Sequence, residues 1–401
     1  MAIKIDNFYK KKLKNGLTVL FEKRSLPIIS TIAAVNFGGG FETEKEKGIA
    51  HLIEHLLFKG TKKRSYDKLS REIEKKGGIL NGYTSEEVTA FWNKLPDKHF
   101  NTSIEIASDL ILNPKFDAKE FEKEKKVIIE EIKMYHDNPI YYVNEKIKEL
   151  LYEKPFGMSV AGTVKTVSGI TRAQVLNFFN KHYKTNKMVL CVVGNADFSS
   201  IVKKAEKLFP KNQAHFSFPK IKKHNHEIIE TRKGLDQSHF VIGFHTPSLS
   251  QNKKHAYELA LTYLAEGMSS VLFNEIREKR GLAYTIRPSI DIGKNYGFAT
   301  IYAGTSKEHI KKIREIILKE IKALKNIKQR DFSETKEQII GLKKVEEEDS
   351  VKVMNSLLIE ETAQGAEEYY KFDDKISSVK LEEIKKISKL NKFSSLALIP
   401  E

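Results

Sequence analysis

The two halves of this chain close in the same way, and that recurrence limits its fold more than any other feature. Residues 171–197, TRAQVLNFFNKHYKTNKMVLCVVGNAD, run from a helical pattern through a Lys/Asn turn into an apolar strand. Residues 381–400, LEEIKKISKLNKFSSLALIP, repeat that order. The parallel extends upstream. In the first half, NGLTVLFEKR alternates after a turn signal, and IISTIAAVNFG is β-branched and apolar. EKGIAHLIEHLLFKG then carries apolar residues at helical spacing, with Gly60 as a stop. A helix over residues 65–76 leads into GGILNGYTSEEVTAFWNKL, which alternates like a strand. A long helical stretch follows from about residue 98 to 150, broken near Asn113-Pro114. In the second half HFVIGFHTP reads as a strand, HAYELALTYLAEG and SSVLFNEIREKRG as helices, and RPSIDIGKNYGFATIYAG as paired strands before a helix over 306–325. The expectation is an α+β protein of two similar domains, residues 1–212 and 231–401, joined by a polar linker over 213–230. With 401 residues, 40% of them hydrophobic, each domain can bury its own core.

Several classes of function are disfavoured at once. No stretch approaches the roughly 18 consecutive apolar residues of a membrane span. The N-terminus, MAIKIDNFYKKKLKNG, lacks the apolar centre of a secretory signal, so the expected location is the cytoplasm. Cys191 stands alone in the strand-like run MVLCVVG and reads as a small core residue. The net charge of +16 arises from 69 basic and 53 acidic residues, interleaved at helical spacing in segments such as KEFEKEKKVIIEEIKM. Mixed charge of that kind belongs to solvated helix faces, and there is no zinc finger, basic zipper or RNA-binding signature. Nucleic acid and membrane are therefore not expected partners. An acidic peptide or partner suits the excess positive charge.

The chemistry concentrates in His51-Leu52-Ile53-Glu54-His55. On a helix, residues four apart share a face, so His51 and His55 can grip one metal ion while Glu54 stays close to it. A zinc peptidase needs neutral imidazole ligands, an open coordination position and a carboxylate that takes a proton from water. The order His-x-x-Glu-His is the inverzincin signature. Two histidines and a glutamate inside the apolar helix IAHLIEHLLF would be costly without such a partner. A third ligand must come from elsewhere, and FEKEKKVIIEEIKMYHDNP offers acids. Glu124 and Glu131 lie two helical turns apart on one face and Glu130 points away, but spacing alone does not choose among them.

These segments strongly resemble the M16 metallopeptidases, the family of pitrilysin, insulin-degrading enzyme and the mitochondrial processing peptidase, over essentially the whole chain. HLIEHLLFKGT is similar to the family's zinc motif, including its trailing Phe-x-Gly-Thr. The resemblance implies an M16/LuxS-type fold, each domain a mostly antiparallel sheet packed with helices. It implies one zinc ion per chain on His51, His55 and Glu131, with Glu124 supporting the histidines and Glu54 as general base. LNGYTSEEVTAF resembles the edge strand that pairs with substrate, which makes Asn81, Gly82, Tyr83 and Thr84 peptide-binding positions, although Gly82 replaces the usual Ala. AEGMSSVLFNEIREKRGLAYTI resembles a segment whose Arg and Tyr, here Arg277 and Tyr284, hold substrate carbonyls and a developing oxyanion. Acids that read an arginine beside the scissile bond in the mitochondrial enzymes would fall on Tyr141 and Glu145, and only one is acidic.

The implied activity is hydrolysis of peptides or unfolded polypeptides inside a closed chamber. Such chambers need four domains, so a two-domain chain implies a homodimer or a heterodimer with a related chain. M16 members without a metal site serve as non-catalytic partner subunits, which is the alternative reading.

Overall fold

The computed structural model describes residues 2–401, which form two compact units. One gathers the residues up to Lys133 with Met158–Pro219 and Glu346–Tyr369; the other gathers Met134–Gly157, Lys220–Val345 and Tyr370–Glu401.

The first unit is built on a seven-stranded sheet. Its strands are β1 (Ala2–Ile5), β2 (Phe8–Lys12), β3 (Thr18–Lys23), β4 (Ile28–Val35), β5 (Ile79–Thr84), β6 (Thr89–Pro96) and β7 (Met188–Gly194). They lie in the order β1-β2-β3-β7-β4-β6-β5, antiparallel except for β3 beside β7. β7 is the unbroken apolar run around Cys191 and is buried along its whole length, as a strand covered on both faces must be. Between β4 and β5 stand α1 (Ile49–Phe58) and α2 (Tyr66–Glu74), and after β6 come α3 (Phe100–Leu112) and α4 (Ala118–Asp137). Leu52, Ile53, Leu56 and Leu57 of α1 are packed into this unit's core with Ile104, Leu110 and Ile128. β5 ends the sheet, pairing with β6 alone among the described strands.

The second unit carries β8 (Glu227–Arg232), β9 (Ser238–His245), β10 (Ala283–Ile292), β11 (Gly297–Thr305) and β12 (Ser394–Pro400). Their order is β10-β11-β9-β12-β8, with only β12 and β8 parallel. Read from the other end, this is the β3-β7-β4-β6-β5 arrangement of the first unit. The expected pair of similar α+β domains is what forms.

Three local expectations change. The helical stretch after residue 98 breaks a second time, at Asn138-Pro139. The Asn138 side chain accepts from the amides of Ile140 and Tyr141, and proline sits in the first turn of α5 (Pro139–Leu151), where it lacks an N–H that the helix does not need. The linker expected over 213–230 already contains the start of β8. SSVLFNEIREKRG yields only a short wide turn of helix over Phe273–Glu278. The units also differ from a simple cut of the chain. α5, from the first half, belongs to the second unit, and the helix Ser350–Ala363 belongs to the first. There Ser350 Oγ lies 2.8 Å from Ser30 Oγ of β4.

Candidate metal and peptide-binding site

α1 carries His51, Glu54 and His55 on a helix whose start is closely specified. Gly48, just before it, has φ +98°, and a Cβ there would meet the Ala161 carbonyl oxygen at 2.8 Å. No side chain at the usual capping position serves the first amides of the helix. Instead Glu42, fully buried, accepts from the amides of Gly48 at 3.0 Å and Ala50 at 2.7 Å. Lys47, also fully buried, places Nζ 4.0 Å from Glu42 and 3.9 Å from Glu86, and donates to the Gly39 carbonyl at 2.8 Å. Burial raises the Glu42 pKa, and Lys47 and the two amides pull it back. Glu42 escaped notice in the sequence because it stands six residues before Gly48, outside any capping pattern.

Glu131 and Glu124 both reach α1 from α4. Glu131 Oε2 lies 3.9 Å from His51 Nε2 and 3.3 Å from His55 Nε2. Donor atoms around a four-coordinate zinc stand about 3.3 Å apart, given bonds of about 2.0–2.1 Å. One donor atom from each of the three residues fits within 4.8 Å of the others, and among the described residues this is the one such group. Glu124 Oε2 lies 3.3 Å from His55 Nδ1, on the side of the ring away from Glu131, and its Oε1 lies 3.0 Å from Lys59 Nζ. That places Glu124 where a carboxylate fixes the orientation of a ligating imidazole. Glu130 turns outward to Lys133. Of the acids on α4, Glu131 and Glu124 are thus the two that reach the histidines.

The electrostatics suit a cation. Burial and the neighbouring His55 lower the His51 pKa to about 4, so this imidazole is neutral. Burial also works against a charged His55, but hydrogen bonds with Glu124 and Glu131 outweigh it and raise the pKa to about 9. Two imidazoles thus lie among three carboxylates, and Nδ1 of His51 is buried without a hydrogen-bond partner. A nitrogen pair with one carboxylate, backed by further negative charge, is a donor set for zinc.

Glu54 is only 8% exposed, and Thr84 Oγ1 donates to its Oε2 at 2.7 Å. Burial raises its pKa, with the Thr84 hydroxyl opposing. Thr84 closes β5, so this bond ties the metal helix to the sheet edge. Along β5 the Asn81 side chain accepts from the Gly82 amide at 2.8 Å, and Tyr83 donates to Asn355 at 3.0 Å. A methyl group on Gly82 would come within 3.0 Å of both the Phe58 ring and the Ala90 carbonyl. That crowding explains a glycine where a small side chain was expected.

Arg277 and Tyr284 lie together in the second unit. The guanidinium sits 4.6 Å from the Tyr284 ring centre and 4.8 Å from that of Phe273, and Tyr284 is 77% exposed. The phenol is open to solvent, and the half-buried guanidinium also lies 3.7 Å from the Glu278 carboxylate.

Comparison with known proteins agrees with this picture. Residues 19–164 match the family described as Insulinase (Peptidase family M16), and residues 169–339 match the Peptidase M16 inactive domain. An "Uncharacterized zinc protease" of Rickettsia bellii is 33% identical over 344 residues, covering 83% of this chain and 82% of that protein. A relative of the same description from Bacillus subtilis is 29% identical, covering 82% and 81%. Among solved structures, a protease from Helicobacter pylori superposes with a TM-score of 0.89 at 20% identity, covering 98% of this chain and 99% of that one. A peptidase M16 inactive domain from Pseudomonas fluorescens gives 0.87 at 18% identity, covering 98% of each. The chain belongs to the M16 peptidase family, in its short two-domain form. No helix among the described residues is long and apolar enough to cross a membrane.

Proposed function

We propose that this chain is a zinc metalloendopeptidase that hydrolyses peptides or unfolded polypeptides. The observation that carries the reading is the meeting of His51, His55 and Glu131 with Glu54 beside them, at the outer edge of a sheet. His51, His55 and Glu131 would hold one zinc ion per chain. Bound there, zinc supplies a Lewis acid that polarises the scissile carbonyl and makes water acidic.

The remaining steps belong to the protein. Glu54 takes the proton of the attacking water and delivers it to the departing amine. A carboxyl whose pKa is raised by burial suits both roles near neutral pH. Thr84 fixes which way that carboxyl faces, and Glu124 holds the His55 ring through Nδ1. The outer edge of β5, at Asn81, Gly82, Tyr83 and Thr84, accepts an extended substrate as an added strand. Arg277 and Tyr284 donate to the substrate carbonyl as it becomes an oxyanion. Two chains together provide the four domains of an enclosing chamber.

Glu54→Gln keeps the ligands and removes the base. It should retain zinc by elemental analysis and lose about 10²–10⁴-fold in hydrolysis of an unstructured peptide. Hydrolysis at the wild-type rate would remove Glu54 from its role. A wild-type chain that takes up no zinc after metal-supplemented expression overturns the whole reading and leaves a non-catalytic subunit.

A further inference from the structure

A cavity of about 870 Å³ lies in the first unit beyond the end of α1. Its wall comes from the loop between α1 and α2 and from the approach to α4. Arg64 and three lysines (Lys59, Lys62, Lys63) line it on the first side, and Lys115, Lys119 and Lys123 on the second. Opposing them are only Asp117 and Glu120. Seven of the thirteen lining residues are therefore cationic, against 69 of 401 in the chain, so general composition does not explain the cluster.

The two loops are locked before any ligand arrives. Thr61, buried, donates to Asp109 at 2.7 Å, and the same hydroxyl oxygen accepts from the amides of Lys63 and Arg64. The Lys62 amide donates to Asn113, and the Lys115 amide to Gly60. Arg64 is committed to Asp109 at 2.8 Å and Glu72 at 3.0 Å, and Lys59 to Glu124 at 3.0 Å. Lys115 and Lys123, both exposed, lie 3.6 and 3.9 Å from the half-buried Asp117 and Glu120, separations that hold them weakly. Lys62, Lys63 and Lys119 are exposed at the rim of the same concavity. Like charges gathered around one concavity on a fixed backbone frame repel each other and favour a multivalent anion between them.

We propose that this cavity binds a polyphosphate chain. The cations left to meet a ligand are all lysines, compact charges that suit phosphate oxygens from many directions. The one fork that would grip a carboxylate, Arg64, is already occupied. The wall offers no aliphatic side chain and one exposed ring, Tyr66. Its volume suits a ligand up to the size of a nucleotide. Because Glu124 holds Lys59 back, the cavity adjoins the metal-binding residues without sharing one of them. This inference stands apart from the peptidase reading.

The test is calorimetric titration of the full-length protein at low salt with inorganic triphosphate, with ATP and with hexaglutamate. Triphosphate should bind, and should weaken as salt is raised. A Lys62→Ser/Lys63→Ser/Lys119→Ser chain should lose at least about tenfold in affinity. A Lys311→Ser/Lys312→Ser/Lys319→Ser chain, altered on an exposed helix of the second unit, should not. Zinc content measured in both variants separates cavity binding from chelation at the metal site. ATP binding more tightly than triphosphate, with the gain lost in Tyr66→Ala, identifies a nucleoside polyphosphate; equal binding identifies the bare chain. The proposal is overturned if triphosphate does not bind the wild-type chain, if both triple variants lose equally, or if hexaglutamate binds more tightly.

Discussion

The two units share a strand order, but among the described residues only the first brings two histidines and a glutamate together, and the corresponding helices show what stands in their place in the second. α4 reads AKEFEKEKKVIIEE, and its counterpart, the helix Gln329–Glu346, reads QRDFSETKEQIIGL. The structure fixes this register independently. Lys125 lies over the Phe121 ring and donates to two carbonyls, those of Ser168 and Ile170. Lys336 lies over Phe332 and donates to those of Ser377 and Val379. In that register Glu124 corresponds to Thr335 and Glu131 to Leu342. Likewise the His51–His55 motif corresponds in sequence order to His255-Ala-Tyr-Glu258-Leu259 in the helix Lys254–Ala265, where His255 pairs with Glu258 at 2.8 Å and Leu259 is buried. The scaffold is common to both. Three side chains of the first unit, His55, Glu124 and Glu131, are leucine, threonine and leucine at the corresponding positions of the second.

Residues of the second unit can be copied into the first. His55→Leu, which reproduces Leu259, should abolish zinc binding and reduce hydrolysis by more than about 10³-fold. Zinc retained at wild-type stoichiometry would show that the trio is not the metal site.

The second unit keeps Arg277 and Tyr284, so its expected contribution is donors in place of metal. Arg277→Ala should cost about 10²–10³-fold in turnover with zinc unchanged. If each metal is served by the partner subunit's Arg277, a mixture of Glu54→Gln and Arg277→Ala chains puts both lesions into one composite site. Activity should then recover towards half in each mixed dimer. A mixture as inactive as its parents, with subunit exchange confirmed, rules out service between subunits.

Supporting residues should show smaller effects. Glu124→Thr, copying Thr335, should leave the ligands in place but weaken zinc binding about 10–100-fold in competition with a chelator. Glu42→Gln should destabilise the first unit by about 1–3 kcal/mol, because an amide replaces the buried carboxyl that accepts from the Gly48 and Ala50 amides beside Lys47. Unchanged thermal stability would show that Glu42 does not hold the start of α1. Smallest, Lys125→Met and Lys336→Met should cost similar amounts, about 1 kcal/mol each, if the two lysines are true counterparts.

Much of this was legible in the residue order. The repeated helix–turn–strand ending announced two similar domains, because apolar strands and amphipathic helices at those spacings have few ways to bury themselves. His51, Glu54 and His55 fell on one face by helical period alone. What the chain order could not convey was anything set by contacts between distant segments. Helical spacing left the acids of α4 equivalent, and that Glu131 and Glu124 are the two that reach the histidines needed α4 laid beside α1. The long buried reach of Glu42 to the amides of Gly48 and Ala50 obeys no local pattern. The exchange of α5 and the helix Ser350–Ala363 between units was equally hidden. Local periodicity determines which face of a helix is apolar, whereas only the packed sheets decide which helix meets that face.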